Sequence, residues 1–585
     1  MPTSCKEVGT LFMYNKSMIS LNHFASRLIP FFCILTTLLF TPFINRDPVN
    51  PVRMIAITTL GSVLFGLILI SFKLFKGLYK TEIIILLLLI LDLILVFFLS
   101  GANKVEQLYG TIGRNYGLLT QISLALICIG SLIFSSRELL AYFTKILILT
   151  SFINMSYGLV QVMGLDFVKN MSAFQGTAVG FFAQPNQFSS FTAVAALVSV
   201  SNMTKKNRGA SAQLGSIFFI LFSFFNLFLS NSTQGFIILL AGILLIFSIY
   251  LKFNSSKKIY FQTFLLGSFI TLTATILDIF QKVPWDPIIY SNTVTYRGDF
   301  WRAGIAMGLE RPWFGVGLDK YLEWYRVSRD DTAANRPGGV ANELADSAHN
   351  IFIDYFATGG FPLLLIFMFI IFLALLKIID IVRKSSNYDS DLSGLSIVFI
   401  GYLLQSIISP SSLGFSIWGW VAIGIILGIK IDVFSTIESK NKMNPKQKPV
   451  IDSKLLTTRL LIMLCSVTGL IGIFISAPFL VQDMKIRTAL KPNLITPDGV
   501  SKSAYIWPMY GTRMAEASWL LYKNGFSSES LKIGKDAIKY SPNNYYTWLV
   551  LYSRTDLDPI LKAQVEKNIK RLEPREKNII NAGQR

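Results

Sequence analysis

The chain has 585 residues, 52% of them hydrophobic, and a formal net charge of +20. Repeated apolar runs of about 18 residues or more do not occur in soluble domains, so the composition excludes an ordinary globular protein and points to a membrane-spanning one. The basic surplus does not mark a nucleic-acid binder, because the lysines fall mostly between the apolar runs, where loop charge sets topology.

In chain order the runs lie at about 28–44, 52–72, 82–100, 117–135, 141–164, 181–203, 212–230, 235–252, 260–280, 349–379, 393–411, 413–432 and 459–479. These predict an all-α, polytopic membrane protein of about thirteen spans. One set of alternate loops carries Lys73, Lys76 and Lys80; Arg137 and Lys145; Lys205, Lys206 and Arg208; Lys252, Lys257 and Lys258; Arg383 and Lys384; and the run from Lys440 to Lys454. The other short loops hold only Arg46, Arg53, Lys104, Arg114 and Lys169. The positive-inside rule places the first set and the N-terminus in the cytoplasm, and an odd number of spans then places the C-terminus outside. Cys33, Cys128 and Cys465 lie inside apolar runs and Cys5 is near the start, a distribution that suggests neither a disulfide framework nor a metal cluster.

The chain thus divides into a membrane bundle of about nine spans over 1–280, an external loop over 281–348, spans ten to twelve over 349–432, a basic cytoplasmic linker over 433–458, a last span over 459–479, and an external helical region over 480–585. Within that last region, helical periodicity runs near 503–523, 527–540, 543–553 and 559–572, separated by Asn-Gly and Ser-Pro-Asn-Asn breaks. The stretch from Ala537 to Trp548 resembles the junction between tetratricopeptide helices, which end in a proline turn and restart on an aromatic. A small helical cap describes it equally well.

Chemistry-bearing residues concentrate at the outer edge. Arg297, Trp301, Ile305 and Leu309 recur at intervals of four, predicting a helix on the membrane surface with Trp301 at headgroup depth and Arg297 reaching phosphate. The other reading of the same pattern is a packing helix with a solvated arginine. His349 is one of two histidines and the one placed outside. With Asp346 or Ser347 as N-cap it falls in the first turn of a span, where the helix end favours neutral imidazole and Asp346 favours imidazolium. Either outcome leaves a group that exchanges a proton near pH 7; a histidine that only bonds the backbone is the alternative. Gln184-Pro185-Asn186-Gln187 opens the sixth span, Ser230 to Gly235 forms a tight outer turn, and Asp92, well inside the third span, is expected to face a partner. Asp47, in the first outer loop, is the carboxylate that a metal-dependent alternative would use.

Arg297 with Trp301, then Arg311-Pro312-Trp313-Phe314-Gly315-Val316-Gly317-Leu318, then Ala348-His349-Asn350 and Gly359-Gly360, resemble the O-antigen ligase family, which includes O-antigen polymerases and bacterial protein O-oligosaccharyltransferases. Tyr109-Gly110 with Arg114, Gln161 with Gly164-Leu165-Asp166, and Gly176 through Gln184-Pro185-Asn186 resemble its upstream signatures. The resemblance implies a GT-C-like, metal-independent glycosyltransferase in the cytoplasmic (inner) membrane. Such an enzyme moves a glycan from a polyprenyl-diphosphate carrier to a hydroxyl of a lipid, glycan or protein acceptor on the external face, and needs no cofactor. It implies catalytic roles for His349, as base or orienting group, and Arg297, as diphosphate clamp, and substrate contacts by Arg114, Gln184, Asn186, Gln234, Trp301, Arg302 and Asn350. Family members often carry an arginine in the turn after the seventh span; here Ser232-Thr233-Gln234-Gly235 has none, so a neutral donor, Arg114 or Arg302 takes its place, or the donor differs. The alternatives are a polysaccharide polymerase of the same superfamily, a lipid-linked glycan transporter, and a scaffold whose C-terminal region recruits partners.

Overall fold

The computed structural model describes residues 4–41, 47–71, 80–166, 168, 174, 176–205, 208–254, 262, 292–335, 345–385, 388–429, 452–491 and 495–575. All regular structure among the described residues is helical. The first part holds α1 (Ser4–Leu38), α2 (Asn50–Ser71), α3 (Lys80–Leu99), the short α4 (Lys104–Tyr109), α5 (Leu118–Ile133), α6 (Arg137–Val162), α7 (Pro185–Met203), α8 (Ala210–Leu229) and α9 (Thr233–Asn254). Then come α10 (Asn292–Glu310), α11 (Tyr321–Ser328), the single turn α12 (Asp331–Ala334), α13 (Ile351–Lys384), α14 (Ser390–Ile408), α15 (Leu413–Gly428) and α16 (Asp452–Ala489). Five shorter helices end the chain: α17 (Pro497–Ala504), α18 (Gly511–Lys523), α19 (Ser527–Tyr540), α20 (Tyr545–Tyr552) and α21 (Pro559–Leu572).

Among the described residues eight helices are long and apolar enough to cross a membrane, namely α1, α2, α3, α6, α8, α13, α14 and α16. The expected runs at 117–135, 235–252 and 413–432 correspond to the shorter apolar helices α5, α9 and α15, and the run at 181–203 to α7. The expected run at 260–280 lies, apart from residue 262, outside the described residues, as does most of the basic linker. The protein is a polytopic helical membrane protein.

Sequence decides which helices face lipid. On α3, Leu86, Leu89, Leu93 and Val96 recur every three or four residues and are buried, while Leu87, Leu88, Leu91, Leu95 and Phe98 point outward and are exposed. An apolar stripe on both faces suits a helix with protein on one side and lipid on the other. By contrast α15 (LGFSIWGWVAIGIILG) is buried at every residue, as a helix apolar all round must be at the middle of a bundle. Asp92 is buried too, with no hydrogen-bond partner for its Oδ2 among the described residues, so the expected partner is not found there.

The bundle has two chemically different ends. At one, Arg137 of α6 pairs with Asp389, the N-cap of α14, and Lys205 pairs with Asp391 at 2.7 Å. Arg383 and Lys384, at the end of α13, belong to this end as well. At the other end Asn50 donates to the Gly113 carbonyl at 2.7 Å, Arg53 to the Thr37 and Phe181 carbonyls at 2.8 and 2.6 Å, and Ser409 to Gln234 Oε1 at 2.6 Å. Among the described residues, Arg137, Lys205, Arg383 and Lys384 therefore lie at the end opposite Arg53, Gly113 and Gln234.

The expected uninterrupted span from 349 is broken. At Gly360 the backbone adopts φ 77°, ψ −170°, which divides α13 into a half-helix of about nine residues and a long apolar segment. The break frees backbone groups that must find partners away from water. The segment after α10 supplies them: Val316 N–H donates to the Ala357 carbonyl at 2.9 Å, Gly317 N–H to Thr358 at 3.1 Å, and Phe361 N–H to Pro312 at 2.7 Å. A Cβ at Gly360 would stand 2.5 Å from the Pro312 carbonyl oxygen, so this docking requires glycine. The Arg-Pro-Trp-Phe-Gly-Val-Gly segment is thus a backbone splint for the half-helix that follows His349.

Candidate active site

Helix α10 and the half-helix of α13 pack closely because glycines on α10 make room for large side chains of α13. An added Cβ at Gly304 would meet Ile353 at 2.6 Å, and one at Gly308 would meet Phe356 at 2.5 Å. This Gly-x-x-x-Gly approach buries Trp301, Ala303 and Met307 with Tyr321, Tyr325 and Ala348. Trp301 is only 3% exposed, which corrects the expectation of a ring at headgroup depth: it is core. The expected face grades from half-buried Arg297 and buried Trp301 through half-buried Ile305 to exposed Leu309, so the packing reading of α10 prevails. The exposed indole of this segment is that of Trp313, at 68%.

His349 also sits differently from expectation. The N-cap of α13 is Asn350, whose Oδ1 accepts from Phe352 N–H at 3.0 Å and Ile353 N–H at 3.3 Å, so Asn350 holds the helix end. His349 lies outside the helix in the left-handed region, with φ 56°. That conformation is unfavourable for a side chain bearing a Cβ and persists only when its surroundings impose it. Here Asp354 Oδ1 accepts the Ala348 N–H at 2.7 Å, and Ser347 Oγ accepts the His349 N–H at 3.3 Å. The imidazole leans on Phe300, ring centroids 5.2 Å apart, and its Nδ1 lies 3.3 Å from the Ser347 carbonyl oxygen. With Nδ1–H donating to that carbonyl, Nε2 carries the acceptor lone pair. Burial lowers the imidazole pKa below its ordinary 6.5; Asp346 and the Ser347 carbonyl oppose the shift, and Arg297 and Arg114 reinforce it. The ring is neutral at pH 7 and able to take a proton.

Arg297 is the cation whose charge reaches that ring from α10. Burial lowers its own pKa, and among the described residues no carboxylate holds it up and its Nε has no hydrogen-bond partner. Arg114 is the reverse. Its Nε lies 3.0 Å from Asp319 Oδ1, its Nη1 donates to the Asp346 carbonyl at 2.8 Å and lies 3.6 Å from that residue's Oδ1, and its Nη2 is 3.8 Å from Asp354 Oδ2. Burial alone would depress its pKa, but the three aspartates together raise it. Arg114 therefore binds the stretches on both sides of His349. Behind it lies a cavity of about 20 Å³, lined by Arg114, Tyr116, Asp319, Tyr321 and Asp354 among others. That is room for about one water and not for a sugar.

Arg302 is also paired, with Asp299 and, at 2.7 Å, with Asp330. Gln184 is exposed at the start of α7; Asn186 Oδ1 accepts from Ser232 at 2.8 Å. Gln234 is 4% exposed, with Oε1 taken by Ser409 and Nε2 without a partner among the described residues. Asn186 and Gln234 thus meet around the outer turn, joined to α14 by Ser409, and Ser411 continues to the cavity beside Arg114. Asp47 accepts from Val49 N–H, Asn50 N–H and Asn50 Nδ2, so its carboxylate opens α2. Sequence reasoning missed Asp319 and Asp354. The signal for Asp354 was its spacing: it follows His349 by five residues, as Asp346 precedes it by three.

Residues 218–368, which include both Arg297 and His349, match the family model described as O-antigen ligase. No curated protein matches the chain. Over residues 218–368 the chain is thus similar to the O-antigen ligase family.

Proposed function

We propose that the protein is a metal-independent transferase of lipid-linked glycans, with Arg297 holding the donor diphosphate and His349 acting as base toward the acceptor hydroxyl. One arrangement carries the reading: the partly desolvated Arg297 guanidinium, with no balancing carboxylate among the described residues, acts on the His349 imidazole, which is held at φ 56°. A buried, uncompensated cation is costly, and an anionic ligand relieves that cost. In the reaction the acceptor oxygen attacks the anomeric carbon, the carbon–oxygen bond to the diphosphate breaks, and polyprenyl diphosphate leaves with the electron pair. His349 Nε2 takes the hydroxyl proton, and Arg297 stabilises the charge that develops on the leaving group. Gln234 Nε2, a buried donor without a partner among the described residues, supplies a neutral contact where members of the resembled family often carry an arginine.

The family match supports the ligase or polymerase class of glycosyltransferase. In this reading the site end of the bundle faces outward, the lysine-rich end and the N-terminus lie in the cytoplasm, and the C-terminal helices are external, in a GT-C-like protein of about thirteen spans with a tetratricopeptide-like tail. The acceptor is a lipid, a glycan or a protein hydroxyl. The test is transfer from a radiolabelled polyprenyl-diphosphate glycan to acceptors offered singly, by wild type and by His349→Ala and Arg297→Ala. Both variants are expected to insert normally and to lose transfer, His349→Ala and Arg297→Ala alike falling by about 100-fold or more; unchanged transfer in both removes the assignment.

A further inference from the structure

The C-terminal helices lie against two segments that also hold the candidate site. Tyr510 Oη donates to the Gly110 carbonyl at 2.8 Å, its ring edge-on to Phe479 with centroids 5.5 Å apart. Gly110 has φ 84°, and an added Cβ would stand 2.5 Å from Asp319 Oδ2. Only glycine lets that carboxylate close in and accept the N–H groups of Thr111 at 2.8 Å and Tyr116 at 3.1 Å. The next residue, Lys320, points the other way: it pairs with Glu106, and Glu106 accepts the hydroxyl of Ser541. Around these contacts Asn103 Nδ2 donates to the Tyr540 carbonyl, and the fully buried Glu573 takes Arg326 at 2.6 Å and Arg329 at 2.8 Å. Asp319 and Lys320, neighbours in the chain, thus join the turn beside His349 to the C-terminal domain.

We propose that the C-terminal helical domain is a positioning element of the site: Tyr510 and Ser541, acting through Gly110 and the Glu106–Lys320 pair, hold Asp319 against Arg114 and so fix the turn that presents His349. The catalytic consequence rests on the function proposed above; the geometric one does not. Four charged groups face His349: Asp346 from its own turn, Arg297 from α10, Arg114 from the loop before α5, and Asp354, bound to the Ala348 N–H, from α13. When the clamp loosens, Arg114 recedes and Asp346 loses its shield. Both changes favour imidazolium, so His349 protonates at a higher pH.

The test uses the full-length protein in membranes with Tyr510→Phe, Ser541→Ala and the double substitution. Phenylalanine keeps the ring packing of Tyr510 and removes only the donor. Diethylpyrocarbonate labelling across pH, read by peptide mass, follows His349 directly. The chain's second histidine, His23, paired with Glu138 at the opposite end, is the internal control. The His349 midpoint is expected to rise by about half a pH unit or more in the double variant, with His23 unmoved, and kcat for transfer to fall about tenfold at constant KM. The proposal is overturned if the midpoint stays in place in the folded variants, whatever kcat does; a midpoint that moves while kcat does not overturns its catalytic consequence. Should the double variant not fold, Tyr510→Phe alone decides by the same criteria. A shifted midpoint in a protein whose transfer survives His349→Ala sinks the catalytic reading and leaves the clamp. Transfer that requires His349, with an unmoved midpoint in the clamp variants, does the reverse.

Discussion

Arg114 and Arg297 share one end of the bundle and act on the same imidazole, yet their surroundings are opposite. Arg114 has three aspartates around it and a side chain only 8% exposed. Arg297 is half-buried, and no carboxylate among the described residues supports its charge. A cation that the protein uses to hold itself together is surrounded by anions of its own. A cation left without them is set up for an anion from elsewhere, and a diphosphate is the anion that the proposed reaction supplies.

The comparison predicts effects of opposite kind. Arg114→Ala strands Asp319, Asp346 and Asp354 around a vacated site and is expected to lower stability by about 3–5 kcal/mol, because breaking a buried pair leaves unpaired charge. Thermal unfolding of the purified protein measures it; an unchanged midpoint would mean that the network holds nothing. Arg297→Ala removes a desolvated charge without a partner, so stability should hold or rise. Transfer should nevertheless fall by about 10²–10³-fold, the usual loss when a donor to developing negative charge is removed. A drop in stability matching the drop in activity would make Arg297 a second Arg114.

A smaller effect tests the splint between these regions. Gly360→Ala forces φ 77° on a residue with a Cβ and drives that atom toward the Pro312 carbonyl. The expected cost is about 1–3 kcal/mol. If the half-helix positions His349, kcat should fall further than stability predicts; an alanine variant of wild-type stability and rate would show that the break is incidental.

Much of this was legible in the sequence, and the gaps have physical reasons. Apolar length gave most of the helices, because it is summed over many residues. His349 stood out as an isolated imidazole at a polar–apolar boundary, and Arg297 by its four-residue spacing with Trp301 and the family resemblance. The environment of Trp301 was misread because a spacing of four describes a stripe without saying whether lipid or protein covers it; the glycines at 304 and 308, which admit α13, held that information. The N-cap was placed at Asp346 or Ser347 because each is a good cap in isolation. The chain instead uses Asn350 and commits Asp346 to the carboxylate set around Arg114, a long-range contact that no local pattern encodes.

The acid limb of transfer should follow the imidazole. Since burial with Arg297 and Arg114 holds the His349 pKa below 6.5, the base form persists through neutrality and is lost only as pH falls beneath that value. Arg297→Gln withdraws a cation and should raise the limb; Asp346→Asn withdraws the opposing carboxylate and should lower it. Shifts of the same sign in both variants would mean that the titrating group is not His349.

Arg302→Gln should matter least. Its guanidinium is already matched by Asp299 and Asp330, and the Asp330 contact is open to solvent at both partners. An ion pair of that exposure is worth about 1 kcal/mol or less, because water and salt screen it and the side chains lose entropy in forming it. Residual transfer should stay near that of wild type. A variant that folded normally and transferred nothing would show that a cation with its own carboxylates can still be recruited by the donor, and pairing would no longer distinguish the arginines that build this site from the one that works in it.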